Sequence, residues 1–250
     1  MQDILDFNPS GSILNNELRA KTSRIILTVL VVLGFVQLIS DCAEYNMLEK
    51  YKDGTITLGE QKWNGVRQII IAIARLIMTI VCIVFFIRWF RRAFHNLHKL
   101  GVKGLSASEG WAAGAWFIPI FNLYRPYQLV RETWVKTIET VSTIEDTRYE
   151  RTNGMIVGFW WLFWILRVVT TVIVSSMPRV SEYIDQLQTR DVVKIFYAIF
   201  EMTAGIFGAV MIKRLSHFER LLFQHQEEII RKHTLEQDGM ETKKNDDMSL

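Results

Sequence analysis

The apolar residues of this chain collect in four runs, 25–43, 69–87, 155–177 and 195–212, and each run carries a single charge. A helix rises about 1.5 Å per residue, so runs of this length can cross a hydrocarbon core of roughly 30 Å. Lipid offers no partner to a free backbone amide or carbonyl, so such runs must be helical. Alternation at period two is absent, which excludes a transmembrane barrel. The expected fold is therefore all-α: a polytopic membrane protein with four transmembrane helices. With flanking residues the spans are about 25–45, 67–90, 155–177 and 192–213. Segment 1–24 precedes the membrane domain of 25–215, and 216–250 follows it as a helix and a polar tail.

Composition adds exclusions. Half of the 250 residues are hydrophobic and 22% are charged, with 29 Lys+Arg against 26 Asp+Glu. A balance this close does not suit a nucleic-acid partner. Cys42 and Cys82 fall within or beside apolar runs and read as small buried hydrophobes. The first run reads as a retained anchor, because the residues before it lack a leader's apolar core.

A fifth run, 111–124, is uncharged but short, and Pro119 interrupts it. Ser106-Ala-Ser-Glu109 before it has the form of a capping box. The sequence predicts a helix over 107–118, a break at Pro119, and a second helix from near Pro126 to Ser142. On the second helix Tyr127, Val130, Trp134, Ile138 and Val141 share one face. Together, 107–142 forms an interfacial or re-entrant segment.

Loop charges set the orientation. If 111–124 does not cross, segments 1–24, 88–154 and 213–250 share one side and carry 20 Lys+Arg, against 6 on loops 46–67 and 178–191. That excess predicts both termini in the cytoplasm. A crossing at 111–124 would move Arg125, Arg131 and Lys136 outside and weaken the bias, so four crossings fit better.

The charges inside the spans are the first functional lead, since each costs about 2.5–3.5 kcal/mol on insertion scales. Arg75, Arg167 and Glu201 fall at similar depth, and Asp41 lies nearer the outer face. Glu201 is expected to bridge Arg75 and Arg167, with Asp41 completing the network. Such pairs either fix helix register or line a polar cavity for a proton, an ion or a lipid headgroup.

The second span runs on into a basic amphipathic helix that ends at Gly101. Arg88, Arg91, Arg92 and Lys99 occupy its polar face and are candidate contacts for anionic lipid headgroups. Trp89, Trp111, Trp116, Trp134, Trp160 and Trp161 all fall at the same boundary and read as a headgroup-level belt. Gly154, Gly158, Ala204, Gly205, Gly208 and Ala209 mark close helix contacts, within the chain or in a homo-oligomer. After the fourth span a helix is expected from Lys213 to about His233, able to pair with a partner membrane protein, and 236–250 reads as disordered.

No phosphate-cradling glycine loop, His-Glu-x-x-His or Gly-x-Ser-x-Gly elbow occurs. His95 and His98 share a face but lack further ligands, so no metal and no cofactor are expected.

Arg88-Trp-Phe-Arg-Arg-Ala-Phe-His-Asn-Leu97 and Gly110-Trp-Ala-Ala-Gly-Ala-Trp-Phe-Ile-Pro-Ile-Phe-Asn-Leu-Tyr-Arg-Pro-Tyr-Gln-Leu-Val-Arg-Glu-Thr-Trp134 resemble the signature of a bacterial membrane family, domain of unknown function 4328. The resemblance covers about 25–215, with its specific motif in 88–134. It implies a multi-pass protein of the bacterial cytoplasmic membrane and no particular activity. Within the motif Trp111, Trp116, Pro119, Asn122, Arg125, Pro126 and Tyr127 are the candidate interfacial residues: they either shape a re-entrant turn, with Asn122 satisfying backbone groups freed by Pro119, or form a purely structural break. Three readings follow: a non-enzymatic scaffold, accessory or lipid-interacting subunit; a small transporter or channel built on the Arg/Glu network; and a membrane enzyme acting on lipid.

Overall fold

The computed structural model describes residues 13–145, 154–178 and 183–247, without the side chains of 233 and 237–247. The elements are α1 (Glu17–Lys52), α2 (Leu58–Lys99), the short α3 (Trp111–Gly114), a 3-10 turn (Phe121–Leu123), α4 (Arg125–Ile144), α5 (Met155–Ser176) and α6 (Ile184–Asp247). No strand occurs among the described residues. Four helices, α1, α2, α5 and α6, are long and apolar enough to cross a membrane. The chain is thus an all-α polytopic membrane protein. Their outward faces are apolar, as with Ile69, Ile73, Leu76, Ile77 and Ile80 on α2.

α1 packs on both α2 and α6, and α5 packs on α6. The backbones of α2 and α5 scarcely meet, and neither do those of α2 and α6. One end of the bundle, termed basal here, holds residue 13, the end of α2 and α4. The distal end holds the turn 53–57, the end of α5 and the start of α6.

Close packing rests on glycine where α1 meets α6. A Cβ at Gly205 would stand 2.6 Å from Val31 Cγ2, and one at Gly34 would stand 2.7 Å from Met202 Cγ. Without a hydrophobic drive in lipid, helices associate through such close van der Waals approach.

The deepest packing lies at the basal end. Trp89, Phe90, Phe94, Leu97, Leu129, Val130, Trp134, Val157 and Leu215 are almost wholly enclosed. This corrects the expected indole belt: Trp89, Trp134, Trp160 and Trp161 face inward, each within 8% exposure. They pack on other rings and helices, as Trp160 does on Phe86 at 5.5 Å, and only Trp111 and Trp116 keep part of their surface open.

α2 ends as the sequence suggests. Gly101 takes φ +69°, the Val102 amide donates to the Leu97 carbonyl at 3.2 Å and the Gly101 amide to His98 at 3.0 Å. This is the six-to-one and five-to-two pairing of a left-handed helix stop, with Leu97 and Val102 buried beside it.

The segment that follows is less helical than predicted. Only Trp111–Gly114 is α-helix where 107–118 was expected, and α4 then runs from Arg125. The capping box does not form, because its side chains are engaged elsewhere. The Ser106 amide and hydroxyl donate to Glu132 at 2.6 and 2.7 Å, and Glu109 pairs with His95 at 2.8 Å. Gly110 and Gly114 weaken the remaining turn, and Pro119 stops it. The segment does not cross the bundle. Arg125 donates to the Ser106 carbonyl at 3.0 Å, so the chain leaves and returns at the basal end.

Two further expectations change. The C-terminal helix is continuous with the fourth span, and helix persists to Asp247 where the tail was read as disordered. Cys82 is buried, but Cys42 is exposed on the outside of α1. A single apolar thiol costs little on a lipid-facing surface.

The residues before α1 are threaded between α2 and α6. Asn96 bonds the Leu14 amide at 3.0 Å and the Leu14 carbonyl at 2.9 Å, and Gln226 accepts from the Ile13 amide at 2.7 Å. Asn16 donates to Glu219 at 2.8 Å and to the Trp89 carbonyl at 3.2 Å. Buried backbone groups are thus met by amide side chains where no ladder or helix can meet them.

Candidate functional site

The polar centre of the bundle is built from three helices. α2 contributes Arg75, α5 contributes Arg167 and α6 contributes Tyr197 and Glu201, which lie one helical turn apart and share a face. Arg75 pairs with Glu201 Oε2, and Arg167 approaches Oε1 at 3.4 Å. The Tyr197 hydroxyl donates to Oε1 at 3.0 Å and lies 3.3 Å from Arg167 Nη1. Both guanidinium groups also lie near the Tyr197 ring, 5.1 Å from its centroid for Arg75 and 5.9 Å for Arg167.

Arg75, Arg167 and Glu201 therefore come together, but Asp41 does not join them by an ion pair. Asp41 is fully buried on α1, where Gln37 donates to Oδ1 at 2.7 Å and Oδ2 has no partner. Lys194 lies on the same side, bonded to Glu44 at 2.7 Å and to Asp191 at 2.8 Å.

The two arginines share one carboxylate, so this centre carries one surplus formal positive charge. Arg75 Nε is buried and makes no hydrogen bond. Burying an unbalanced charge is costly unless something further compensates it.

The poor contact between α2 and α5 leaves a groove, and the polar centre lies at its waist. On the basal side a cavity of about 480 Å³ is lined by Leu27, Ile83, Phe86, Trp160 and Trp164, with Trp116 and Asn122 at its basal edge. On the distal side a second cavity of about 370 Å³ is lined by Gln37, Asp41, Arg75, Thr171, Ser175 and Lys194. Thr79 and Arg167 line both. Both volumes fall in the range of small-molecule sites, roughly 300–1,000 Å³.

The interfacial motif forms the floor of the basal cavity and its surroundings. Trp116 packs edge-on against Phe86 at 5.4 Å, and Tyr127 stacks on Trp161 at 6.2 Å. Trp111 packs on Phe121 at 5.7 Å. Pro126 is buried in the first turn of α4, where its fixed φ suits the helix start. Of the two readings of Asn122, the one in which its side chain satisfies backbone groups freed by Pro119 does not form. Its main-chain amide bonds the Ile118 carbonyl at 2.8 Å, while its side-chain Oδ1 is buried without a partner. Phe117 and Ile120 beside it are among the most exposed large apolar residues.

Below the bundle, Arg88, Arg91 and Lys99 are exposed and Arg92 is half-buried. Partial burial lowers the Arg19 pKa, and repulsion from Arg92, Arg88 and Arg91 adds to it, which marks this as a dense patch of positive charge. Outside the helices, the bond from His95 holds the Glu109 carboxyl below its usual range. His95 and His98 do not converge on one site: His95 binds Glu109, and His98 lies edge-on to Phe94 at 4.9 Å. Among the described residues no group of three His, Cys, Asp or Glu side chains could hold a metal ion.

Thr79, Tyr197, Lys194 and Gln37 were not singled out from sequence. Tyr197 was findable, because a residue four positions before a buried glutamate shares its helix face. Thr79 likewise lies four positions after Arg75. Gln37 was findable by the same rule, four positions before Asp41. Lys194 carried no such signal, since its partners are Glu44 on another helix and Asp191 at the polar start of α6.

No curated protein and no solved structure matches the chain. One family does, described as "Domain of unknown function (DUF4328)", over residues 53–217. The match begins in the distal turn before α2, so α1 lies outside it, whereas the resemblance was expected from about residue 25. It includes Arg75, Arg167, Glu201 and the whole interfacial motif, and because it spans well over half of the sequence, the chain belongs to the DUF4328 family.

Proposed function

We propose that this protein is a lipid-binding scaffold or accessory subunit of the bacterial cytoplasmic membrane, with both termini in the cytoplasm. The observation that carries this reading is the groove between α2 and α5. Its basal cavity has apolar walls, and its waist has an arginine pair sharing one glutamate. Apolar walls and a charged waist are what an amphiphile requires and what a solvated ion does not. The basic patch of Arg88, Arg91, Arg92 and Lys99 supports the same reading, because anionic headgroups of the inner leaflet would neutralise it. The exposed Phe117 and Ile120 suit insertion among the same headgroups.

The reading is tested by blocking the groove. Thr79 lines both cavities, so Thr79→Trp places an indole at the waist while Arg75, Arg167, Tyr197 and Glu201 are all kept. Native mass spectrometry of detergent-purified protein should show phospholipid retained by the wild type and largely lost from Thr79→Trp. Equal retention by both, with the variant still monodisperse, contradicts the reading.

A further inference from the structure

The groove is graded along its length, and the grading names the class of amphiphile. The basal cavity is walled by Leu27, Leu30, Ile83, Phe86, Trp160 and Trp164, so it suits an acyl chain. At the waist, Arg75 and Arg167 face a single carboxylate, and Arg75 Nε is a buried donor with no acceptor. That surplus suits an anion, and guanidinium groups suit a phosphate in particular.

Beyond the waist the sign reverses. Asp41 lines the distal cavity and is fully buried, yet its Oδ2 has no donor and no cation is paired with it. Lys194 does not supply one, because Glu44 and Asp191 already hold it. Glu44 and Asp191 line no part of the cavity, so the acid that faces a ligand there is Asp41. Arg67 lines no part of this cavity and is tied instead to Ser40 at 3.1 Å and to Asn64. Thr171 and Ser175 already donate their hydroxyl protons to their own helix, at 2.8 and 2.7 Å, so what they offer a ligand is acceptors.

From basal to distal the groove therefore reads apolar, cationic, anionic. An orphaned buried donor and an orphaned buried acceptor stand in that same order. We infer that the groove takes a phospholipid whose headgroup ends in a primary amine. The phosphate lies at Arg75 and Arg167, the ammonium is directed toward Asp41, and one acyl chain occupies the basal cavity. The second chain stays in the bilayer through the open side between α2 and α5. This assignment rests on the lipid-binding reading above and goes beyond it by fixing the headgroup and its orientation. A lipid with an anion alone leaves Asp41 without a donor, and a quaternary ammonium headgroup has no N–H to give it.

The test is competition on the purified full chain in detergent, read by native mass spectrometry. Dioleoyl phosphatidylethanolamine, dioleoyl phosphatidylglycerol and dioleoyl phosphatidylcholine share chains and phosphate and differ only beyond it. The wild type should retain the ethanolamine lipid about tenfold over either competitor, the scale of one charge-assisted hydrogen bond. Asp41→Asn should bring that preference close to parity while total retained lipid holds. Arg75→Gln should reduce retention of all three. The wild-type competition needs no substitution, so it stands even if a variant fails to fold. Equal retention of the three lipids by the wild type, or a preference that survives Asp41→Asn, overturns the headgroup assignment. If lipid retention still falls in Thr79→Trp under either result, the groove remains a lipid site and only its headgroup specificity is lost. If Thr79→Trp also changes nothing, both fail.

Discussion

Arg75 on α2 and Glu201 on α6 are 126 residues apart in sequence and form an ion pair between two helices whose backbones scarcely meet. The pair spans an open groove, so its strength reports on side chains and not on helix packing. Glu201 serves two arginines, and each arginine has only that one acid. Glu201→Gln should therefore destabilise the protein by about 3–5 kcal/mol, the range for leaving buried charge unpaired. Arg75→Gln should cost less, because Glu201 keeps Arg167. Unfolding titrations in mixed micelles would measure both, and an equal or reversed order would count against the shared-carboxylate arrangement.

Helix association at the α1–α6 contact depends on the missing side chain at Gly205. A Cβ there meets Val31 Cγ2 at 2.6 Å, and a larger group has nowhere to go without parting the helices. Gly205→Ile should cost about 1–3 kcal/mol, as overpacking does elsewhere. Gly158 on α5 faces open space, with nothing within 4 Å of where a Cβ would stand, so Gly158→Ala should be nearly silent. Thermal unfolding of the two variants side by side separates a packing requirement from a general intolerance of substitution in a membrane helix.

Glu219 lies beyond the apolar stretch of α6, buried, where Asn16 donates to one of its oxygens at 2.8 Å. Burial pushes its carboxyl up to about 7, against Asn16 and the Trp89 indole, which both act in the opposite sense. A pKa raised in the folded state means that folding favours the protonated form. The contribution is full below the ordinary glutamate value, declines as pH rises, and is gone above about 7. Glu219→Gln keeps an acceptor for Asn16 and removes the titration. The variant should be more stable than wild type at pH 8 and should lose the advantage near pH 5, roughly the window between the two values. Parallel stability curves across that window would show that the carboxyl titrates normally.

The strap ahead of α1 is held by Asn96, which meets both the amide and the carbonyl of Leu14. Asn96→Ala removes both bonds at a site that water partly reaches, a loss of about 0.5–1.5 kcal/mol per bond. Hydrogen exchange should rise at Leu14 and its neighbours and stay unchanged in α5. A uniform rise across the bundle would instead mean that Asn96 supports the whole fold.

Much of this architecture is legible in the sequence, because lipid imposes a length and a polarity that few sequences meet by accident. The four spans, the stop at Gly101 and the apolar face of α4 followed from run lengths, one glycine and a period near 3.6. The meeting of Arg75, Arg167 and Glu201 followed from depth alone, since charges at one level in a bundle have few other partners. What was not legible was set by tertiary choice. Ser106 and Glu109 form a capping box by spacing, but Glu132 and His95 claim them in the fold. The tryptophans looked like a headgroup belt because rank along the sequence gives depth but not which way an indole faces. The groove itself was invisible, because it consists of a contact that α2 and α5 do not make.

The central claim is that this gap holds a phospholipid, and photo-crosslinking addresses it most directly. Val168 lines the basal cavity, while the adjacent Val169 is exposed on the outer face of α5. A benzophenone amino acid at either position will touch lipid in a membrane, but after exhaustive detergent exchange only an enclosed lipid remains. Mass spectrometry should then find a phospholipid adduct at position 168 and none at 169. Equal labelling at the two positions, or no lipid adduct at 168, would contradict the account.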